Sequence, residues 1–311
     1  MSKKIEIATT SWSQNTSGSA DEYCQQAELA ESLGFHSFWL PENHFGDQRS
    51  LPSPLTILAA VAGRTSAIRL ATTSYLITIR NPLQAAEEVA VLDRLSNGRL
   101  ILGLGRGMQS AMFAAFNLPT SEKRKRFKAN LDLMIKAWAG EAIAFDGEKP
   151  VHLAPLPVQR PHPPLWIAAF GPLALSQAGT LGLPYLASPV ETLAVLEKNY
   201  AHYHGVVAQH HADAMETIPV MRTVFVSNQN AKIKQVKESL ANTDFLNMHE
   251  EGTKVDDWTI VGDESYVRDK VAEYKERLGM THLIVRGRIS GLSDQEQTRS
   301  HETLLRLTDT M

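Results

Sequence analysis

The sequence predicts an α/β protein, a single (β/α)8 TIM barrel spanning residues 1–311 as one domain. Three observations predict it. Short β-rich runs alternate with amphipathic helical stretches along the chain, which implies parallel strands covered by helices. The runs number eight, which favours closure into a barrel over an open doubly wound sheet. Of the 311 residues, 43% are hydrophobic and 21% charged. That is ample apolar surface for one large core, and no stretch reads as an interdomain linker.

The elements follow in order. Ile5–Ala8 is the first strand, and the helix Asp21–Leu33 behind it is closed by Gly34 as a C-terminal cap. Phe38–Leu40 is the second strand. Pro54 then opens a helix with Leu55, Leu58 and Ala62 on one face. Ile68–Ala71 is the third strand, and Pro82 opens a helix carrying Ala85, Val89, Leu92 and Leu95. Asn97-Gly98 stops that helix, and Leu100–Leu104 is the fourth strand. A long helix with Leu131, Ile135 and Trp138 leads into a proline-rich excursion, Pro150 to Pro164, before the fifth strand, Leu165–Ala168. Helix Leu173–Leu181, strand Tyr185–Ala187, a helix with Leu193, Leu196, Tyr200 and Tyr203, and strand Val220–Val226 come next. A helix from about Asn230 precedes an irregular, lid-like segment, Asn247–Trp258. A helix with Val267, Val271, Tyr274 and Leu278, the last strand Leu283–Val285 and the last helix Ser293–Leu307 complete the pattern.

Bulk properties exclude several classes of function. The formal net charge is −3 and the pI is about 6.4, without the clustered basic excess of a nucleic-acid surface. The run Lys123-Arg124-Lys125-Arg126 reads as a solvated helix start. Cys24 is the single cysteine, so neither an internal disulfide nor a cysteine zinc site is expected. Met1–Thr10 alternates into a strand with no apolar signal core. No apolar run reaches the roughly 18–20 residues that span a bilayer. The expected compartment is the reducing cytoplasm, with no membrane and no nucleic-acid partner.

In a parallel barrel the acting residues lie just after the strand C-termini. After the second strand come Glu42-Asn43-His44-Phe45, a polar trio suited to proton transfer or to hydrogen-bonding a bound ring. After the third comes the small polar patch Thr72-Thr73-Ser74-Tyr75. After the fourth comes Gly103-Leu104-Gly105-Arg106-Gly107-Met108. Its glycines would let backbone approach a ligand, and Arg106 offers a guanidinium fork for an anion. The spacing is not that of a dinucleotide fingerprint, and Arg124 could return a second positive charge. After the fifth strand, Phe170-Gly171 leads straight into a helix whose free N–H groups suit an anion. Tyr75, Phe45 and Phe113 are expected to wall an apolar pocket. His202, His204, His210 and His211 lack the spacing of a metal-binding helix and are expected to be exposed, so no metal is assigned.

These segments carry a resemblance. Phe38-Trp39-Leu40-Pro41-Glu42-Asn43-His44-Phe45, Asn81-Pro82 with Leu92-Asp93-Arg94-Leu95-Ser96-Asn97-Gly98-Arg99, and Gly103-Leu104-Gly105-Arg106-Gly107 resemble the bacterial-luciferase-like flavin monooxygenases. Arg160–Ala168 is similar to that family's entry into its fifth strand, and Ile260-Val261-Gly262-Asp263 to the turn opening its penultimate helix. The resemblance implies a barrel, a homodimer, and FMN or the deazaflavin F420 as cofactor. It implies reduced FMN delivered by a separate flavin reductase, O2 added at the flavin C4a position, and oxygenation of a small organic substrate. Two other readings are an F420-dependent hydride transfer and a flavin-binding protein without turnover. By position, Arg106, Gly107, Met108 and Arg124 would approach the flavin phosphate, with Phe170 and Gly171 adding backbone groups. Thr73 and Ser74 would lie under the ring, joined by a cis peptide. Light-emitting members carry Glu-His-His-Phe where this chain has Glu42-Asn43-His44-Phe45. Asparagine is no general base near neutral pH, so His44 is the expected catalytic histidine, with Asn43 and Glu42 beside it.

Overall fold

Each of the eight predicted strands forms within two residues of its expected bounds in the computed structural model, which describes residues 4–14, 18–46, 50–213, 215–243 and 250–309. In chain order the elements are β1 (Glu6–Thr10), α1 (Ala20–Leu33), β2 (Ser37–Leu40), α2 (Pro54–Ala62), β3 (Arg69–Thr72), β4 (Tyr75–Leu76) and α3 (Pro82–Leu95). There follow β5 (Leu100–Gly105), α4 (Ser110–Ala115), α5 (Lys123–Trp138), β6 (Ala144–Asp146), β7 (Lys149–Val151), β8 (Leu165–Ala168) and α6 (Pro172–Leu181). The remainder is β9 (Tyr185–Leu186), α7 (Leu193–His210), β10 (Pro219–Val226), α8 (Asn230–Ala241), β11 (Thr259–Gly262), α9 (Glu264–Leu278), β12 (His282–Val285) and α10 (Asp294–Thr308).

The chain gathers into two compact units, one of residues 1–16, 25–38 and 169–311, the other of residues 17–24 and 39–168. In the first, β12 pairs in parallel with β1 and β10, and β11 pairs in parallel with β10 on its other flank. Ala187, just past β9, also bridges Val220 in parallel. All eight residues of β10 are buried, as in a strand covered on both faces, and its one charged side chain, Arg222, donates to the Tyr274 hydroxyl and to the Ser188 and Glu191 carbonyls. Helix α9 buries Val267, Val271, Tyr274 and Leu278 at the spacing of one helical face. Its Asp263 cap accepts the Tyr266 N–H, and Gly279 closes it in the left-handed conformation. Ser293 and Glu296 form a capping box at the start of α10.

In the second unit β5 is the central strand, paired in parallel with β3, β4 and β8. The Leu40 carbonyl at the end of β2 accepts the Thr73 N–H at 2.8 Å. The segment resembling the family between Leu92 and Arg99 holds this unit together rather than binding a ligand. Fully buried Asp93 accepts both the backbone N–H and the side-chain amide of Gln159, at 2.9 and 2.7 Å. The proline-rich excursion is thereby tied down just before β8. Arg99 donates to the carbonyls of Ala62, Thr65, Ile68 and Ser96 and to the Thr65 hydroxyl, stapling the end of α2 to the start of β5.

Three parts differ from expectation. The segment from Thr259 to Gly262 is a strand, β11, where a turn was expected; its four residues are all buried against β10, which the following Gly262-Asp263 helix start disguised. Leading into the excursion, and overlapping it only at Pro150 and Val151, is an antiparallel hairpin, β6–β7, with all six residues exposed. Of the lid-like segment, residues 247–249 lie outside the described residues. Within the rest, Val255–Asp257 forms a 3-10 turn that leads directly into fully buried Trp258.

Candidate active site

The second unit sets three of the predicted loops on the C-terminal ends of neighbouring parallel strands. After β2, the Glu42 side chain is wholly buried and accepts three hydrogen bonds. His44 Nε2 and Arg80 Nη1 both lie 2.7 Å from its Oε1, and the Leu76 N–H donates to Oε2 at 3.0 Å. Arg80 is fixed from its own side. It donates to the Leu76 carbonyl at 2.8 Å and lies over the Tyr75 ring, 4.1 Å from the centroid. Tyr75 donates to Glu88 at 2.9 Å, and burial pushes its phenol well above the ordinary tyrosine range.

His44 is buried, and its ring is edged by Phe116 at 5.4 Å and tilted against Phe45 at 5.7 Å. Phe45 and Phe116 are themselves 5.7 Å apart and are exposed, Phe45 with a left-handed φ of 53°. For a non-glycine residue that conformation costs of order 1 kcal/mol or more, and such residues cluster at functional sites. Asn43 has another task. Its amide oxygen accepts the Leu51 N–H at 2.5 Å, and its own N–H donates to the Leu51 carbonyl at 3.1 Å. It pins the ends of the loop after β2, which accounts for asparagine at this position without a role in proton transfer.

Thr73 and Ser74 are joined by a cis peptide bond between β3 and β4, as the resemblance implied. The neighbouring chain accounts for the glycines of β5 in the direction a side chain would take. A Cβ on Gly103 would stand 1.9 Å from the Thr72 carbonyl oxygen, and one on Gly105 would stand 2.0 Å from the Ser74 hydroxyl. The space over both glycines is therefore filled by the chain itself. Gly107 has a φ of +76° and would meet the Met112 methyl at 2.5 Å, so it too is required by the turn.

The anion site persists on other grounds. The Arg106 guanidinium is half-buried and makes no hydrogen bond or ion pair among the described residues, while Thr78 holds its carbonyl in place at 2.8 Å. Its pKa is lowered by burial first and by the like charge of Arg124 second. Arg124 lies in the first turn of α5, which holds four basic residues and no acidic one. Cations there oppose the helix dipole, each at a cost of about 0.3–1 kcal/mol. Arg126 is spent on the Thr78 carbonyl at 3.2 Å. A half-buried guanidinium, with an exposed second one near enough for its charge to act on it and neither paired with a carboxylate among the described residues, fits a phosphate. The basic run is thus more than a solvated helix start.

Met108 is 67% exposed. Tyr75 and Phe113 are buried, the latter packed with Leu76 and Met112, so of the three expected wall residues only Phe45 remains, joined by Phe116. Phe170 and Gly171 belong to the first unit. Phe170 is exposed, and Gly171, with φ of 79°, is the N-cap of α6 with no side-chain cap and proline as the next residue. Among the four histidines, His202 meets the Ser176 hydroxyl, His204 stacks on Tyr200 and His211 meets the Thr180 carbonyl. Arg80 and Phe116 had no signal in the sequence. Arg80 precedes a helix start and Phe116 follows a short helix, positions where both residue types are ordinary.

The model of the luciferase-like monooxygenase family matches residues 5–282. The chain belongs to that family. Sequence relatives include the oxygenase component of a flavin-dependent trigonelline monooxygenase from Acinetobacter baylyi, 26% identical over 67% of this chain and 59% of that protein. They also include the uncharacterised protein y4wF of Sinorhizobium fredii, 35% identical over 52% of this chain and 50% of that one. The chain spans about half the length of these curated relatives. Among solved structures, the monooxygenase RslO1 of Streptomyces bottropensis superposes with a TM-score of 0.82 at 23% identity, covering 97% of this chain and 98% of that one. The oxygenating constituent of a Pseudomonas putida 3,6-diketocamphane monooxygenase, in complex with FMN, gives 0.81 at 18% identity, covering 98% of each. An F420-dependent tetrahydromethanopterin reductase of Methanopyrus kandleri gives 0.70 at 18% identity, again covering 98% of each. The luciferase-like family chain therefore shares its α/β fold with flavin and deazaflavin enzymes alike.

Proposed function

We propose that this chain is the oxygenase of a two-component FMN-dependent monooxygenase, built as a (β/α)8 barrel and supplied with reduced FMN by a separate reductase. The observation that carries the reading is the pair formed by Arg106 at the end of β5 and Arg124 in the first turn of α5, neither neutralised by a carboxylate among the described residues. A flavin mononucleotide has a terminal phosphate dianion for them, whereas riboflavin has none. Bound reduced flavin supplies the electrons that activate O2.

The remaining work falls to this chain. Arg106 and Arg124 hold the phosphate through charge-assisted hydrogen bonds. The chain from Thr72 to Ser74, with the Thr72 carbonyl against Gly103 and the Ser74 side chain against Gly105, offers a surface against which a planar ring is oriented. Phe45 and Phe116 exclude water beside His44, and His44 holds or moves the proton that oxygenation of a substrate requires. Glu42 orients His44. Asn43 is removed from the chemistry and kept as a loop staple. The same reading makes the protein a cytoplasmic homodimer acting on a small organic substrate.

Anaerobic titration with reduced FMN, reduced riboflavin and reduced F420, followed by fluorescence, tests the proposal. Reduced FMN is expected to bind at least tenfold more tightly than riboflavin. Tighter binding of F420, or equal affinity for FMN and riboflavin, would overturn it.

A further inference from the structure

We infer that Arg80 is a positioning residue that fixes the tautomer of His44 and leaves Nδ1 as the working nitrogen of that ring. The inference depends on the proposed function only in taking His44 as the proton-handling group; the tautomer itself follows from the geometry.

Glu42 is the key to it. Its buried carboxylate faces three donors, and two of them have no choice of role. The Leu76 N–H at Oε2 is a backbone donor, and Arg80 Nη1 at Oε1 belongs to a guanidinium that is always protonated and only donates. The carboxylate is held as an acceptor at both oxygens. The third partner, His44 Nε2 at 2.7 Å from the same Oε1, must then carry a hydrogen. In a neutral imidazole only one nitrogen does so, which leaves the lone pair on Nδ1. Nδ1 has no partner among the described residues, and it is not among their buried unpaired side-chain atoms. It is the one ring nitrogen open to a ligand, in a ring bordered by Phe45 and Phe116.

Arg80 is more than a counter-charge. Its guanidinium is clamped by the Tyr75 ring and the Leu76 carbonyl, and Tyr75 is clamped by Glu88. That chain fixes where Oε1 points. Without Arg80, Glu42 keeps only the Leu76 N–H as an obligatory donor. Its free oxygen can rotate away, and His44 can donate from either nitrogen. The charged and titratable groups acting on His44 are thus Glu42 directly and Arg80 through it, with Tyr75 and Glu88 one step further out.

The test is the 15N spectrum of the imidazoles in full-length protein labelled at histidine, with the His44 signals assigned by their loss in His44→Gln. In its neutral form the wild-type ring is expected to show Nε2 protonated and Nδ1 bare. Arg80→Met is expected to give a mixture of both tautomers, and Arg80→Lys to restore the wild-type signature in part. Glu42→Gln, with one oxygen for three donors, is expected to lose it as well. A wild-type ring protonated at Nδ1, or an Arg80→Met protein that keeps the wild-type tautomer, would overturn the inference. Should Arg80→Met not fold, the wild-type spectrum and the Arg80→Lys and Glu42→Gln variants still decide it. Titration with reduced FMN is a separate reading, so a protein with the expected tautomer that binds no FMN would sink the proposed function and leave this inference standing.

Discussion

At the residue scale, the second unit puts side chains to uses that their types alone do not specify. Arg106 and Arg124 are like charges near one another, and a bound phosphate would relieve their repulsion. Replacing either by alanine removes charge-assisted bonds of about 1.5–3 kcal/mol, so the affinity for reduced FMN in fluorescence titration should fall roughly ten- to a hundredfold, with stability unchanged or raised. Asn43 predicts the opposite pattern. Asn43→Ala leaves the Leu51 N–H without its partner and should cost about 1 kcal/mol of stability in chemical denaturation, while reduced-FMN affinity changes less than threefold.

At the element scale, β5 is shaped by the backbone beside it. Gly103→Ala would drive a methyl group into the Thr72 carbonyl, and Gly105→Ala would drive one into the Ser74 hydroxyl. Overpacking against backbone cannot relax by a rotamer change and should exceed about 3 kcal/mol. Gly105→Ala differs in that the obstacle is a side chain. The double variant Gly105→Ala/Ser74→Gly should recover most of the lost stability, whereas no single second change should rescue Gly103→Ala. Urea unfolding midpoints of the four proteins check both statements.

At the scale of the whole molecule, acid sensitivity has an identifiable source in the first unit. His301 is buried between Trp12 and Phe35, with Nδ1 unpaired among the described residues. Burial pushes its pKa down to about 3 from the ordinary 6.5. The unfolded chain therefore takes up this proton near pH 6.5 and the folded protein only near pH 3. The stability contribution is complete above pH 6.5 and is lost as pH falls between those limits, by up to about 1.4 kcal/mol per pH unit. His301→Leu removes the titrating group along with an unpaired polar atom. Its unfolding free energy should fall less than the wild type's between pH 7.5 and pH 4.5, and an equal loss in both proteins would contradict this account.

The order and type of the elements are legible along the chain, because helical and strand periodicities are local and each hydrophobic face declares itself within about ten residues. The sequence also placed Glu42, His44, Thr73, Ser74 and Arg106 at strand ends, since parallel strands send their following loops to one side. Where the local signal was ambiguous it failed. Thr259–Gly262 was too short to be told from a turn, and Phe113 and Tyr75 were aromatic residues whose burial is not a local property. Packing alone settles that Gly103 makes room for the Thr72 carbonyl and Gly105 for the Ser74 side chain, that Asp93 and Arg99 tie the second unit together, and that Asn43 is a staple. It alone brought Arg80, 38 residues away in sequence, onto the Glu42 carboxylate. Contacts of that separation are set by the packing of strands and helices around them, and no pattern along the chain records which donor will reach which acceptor.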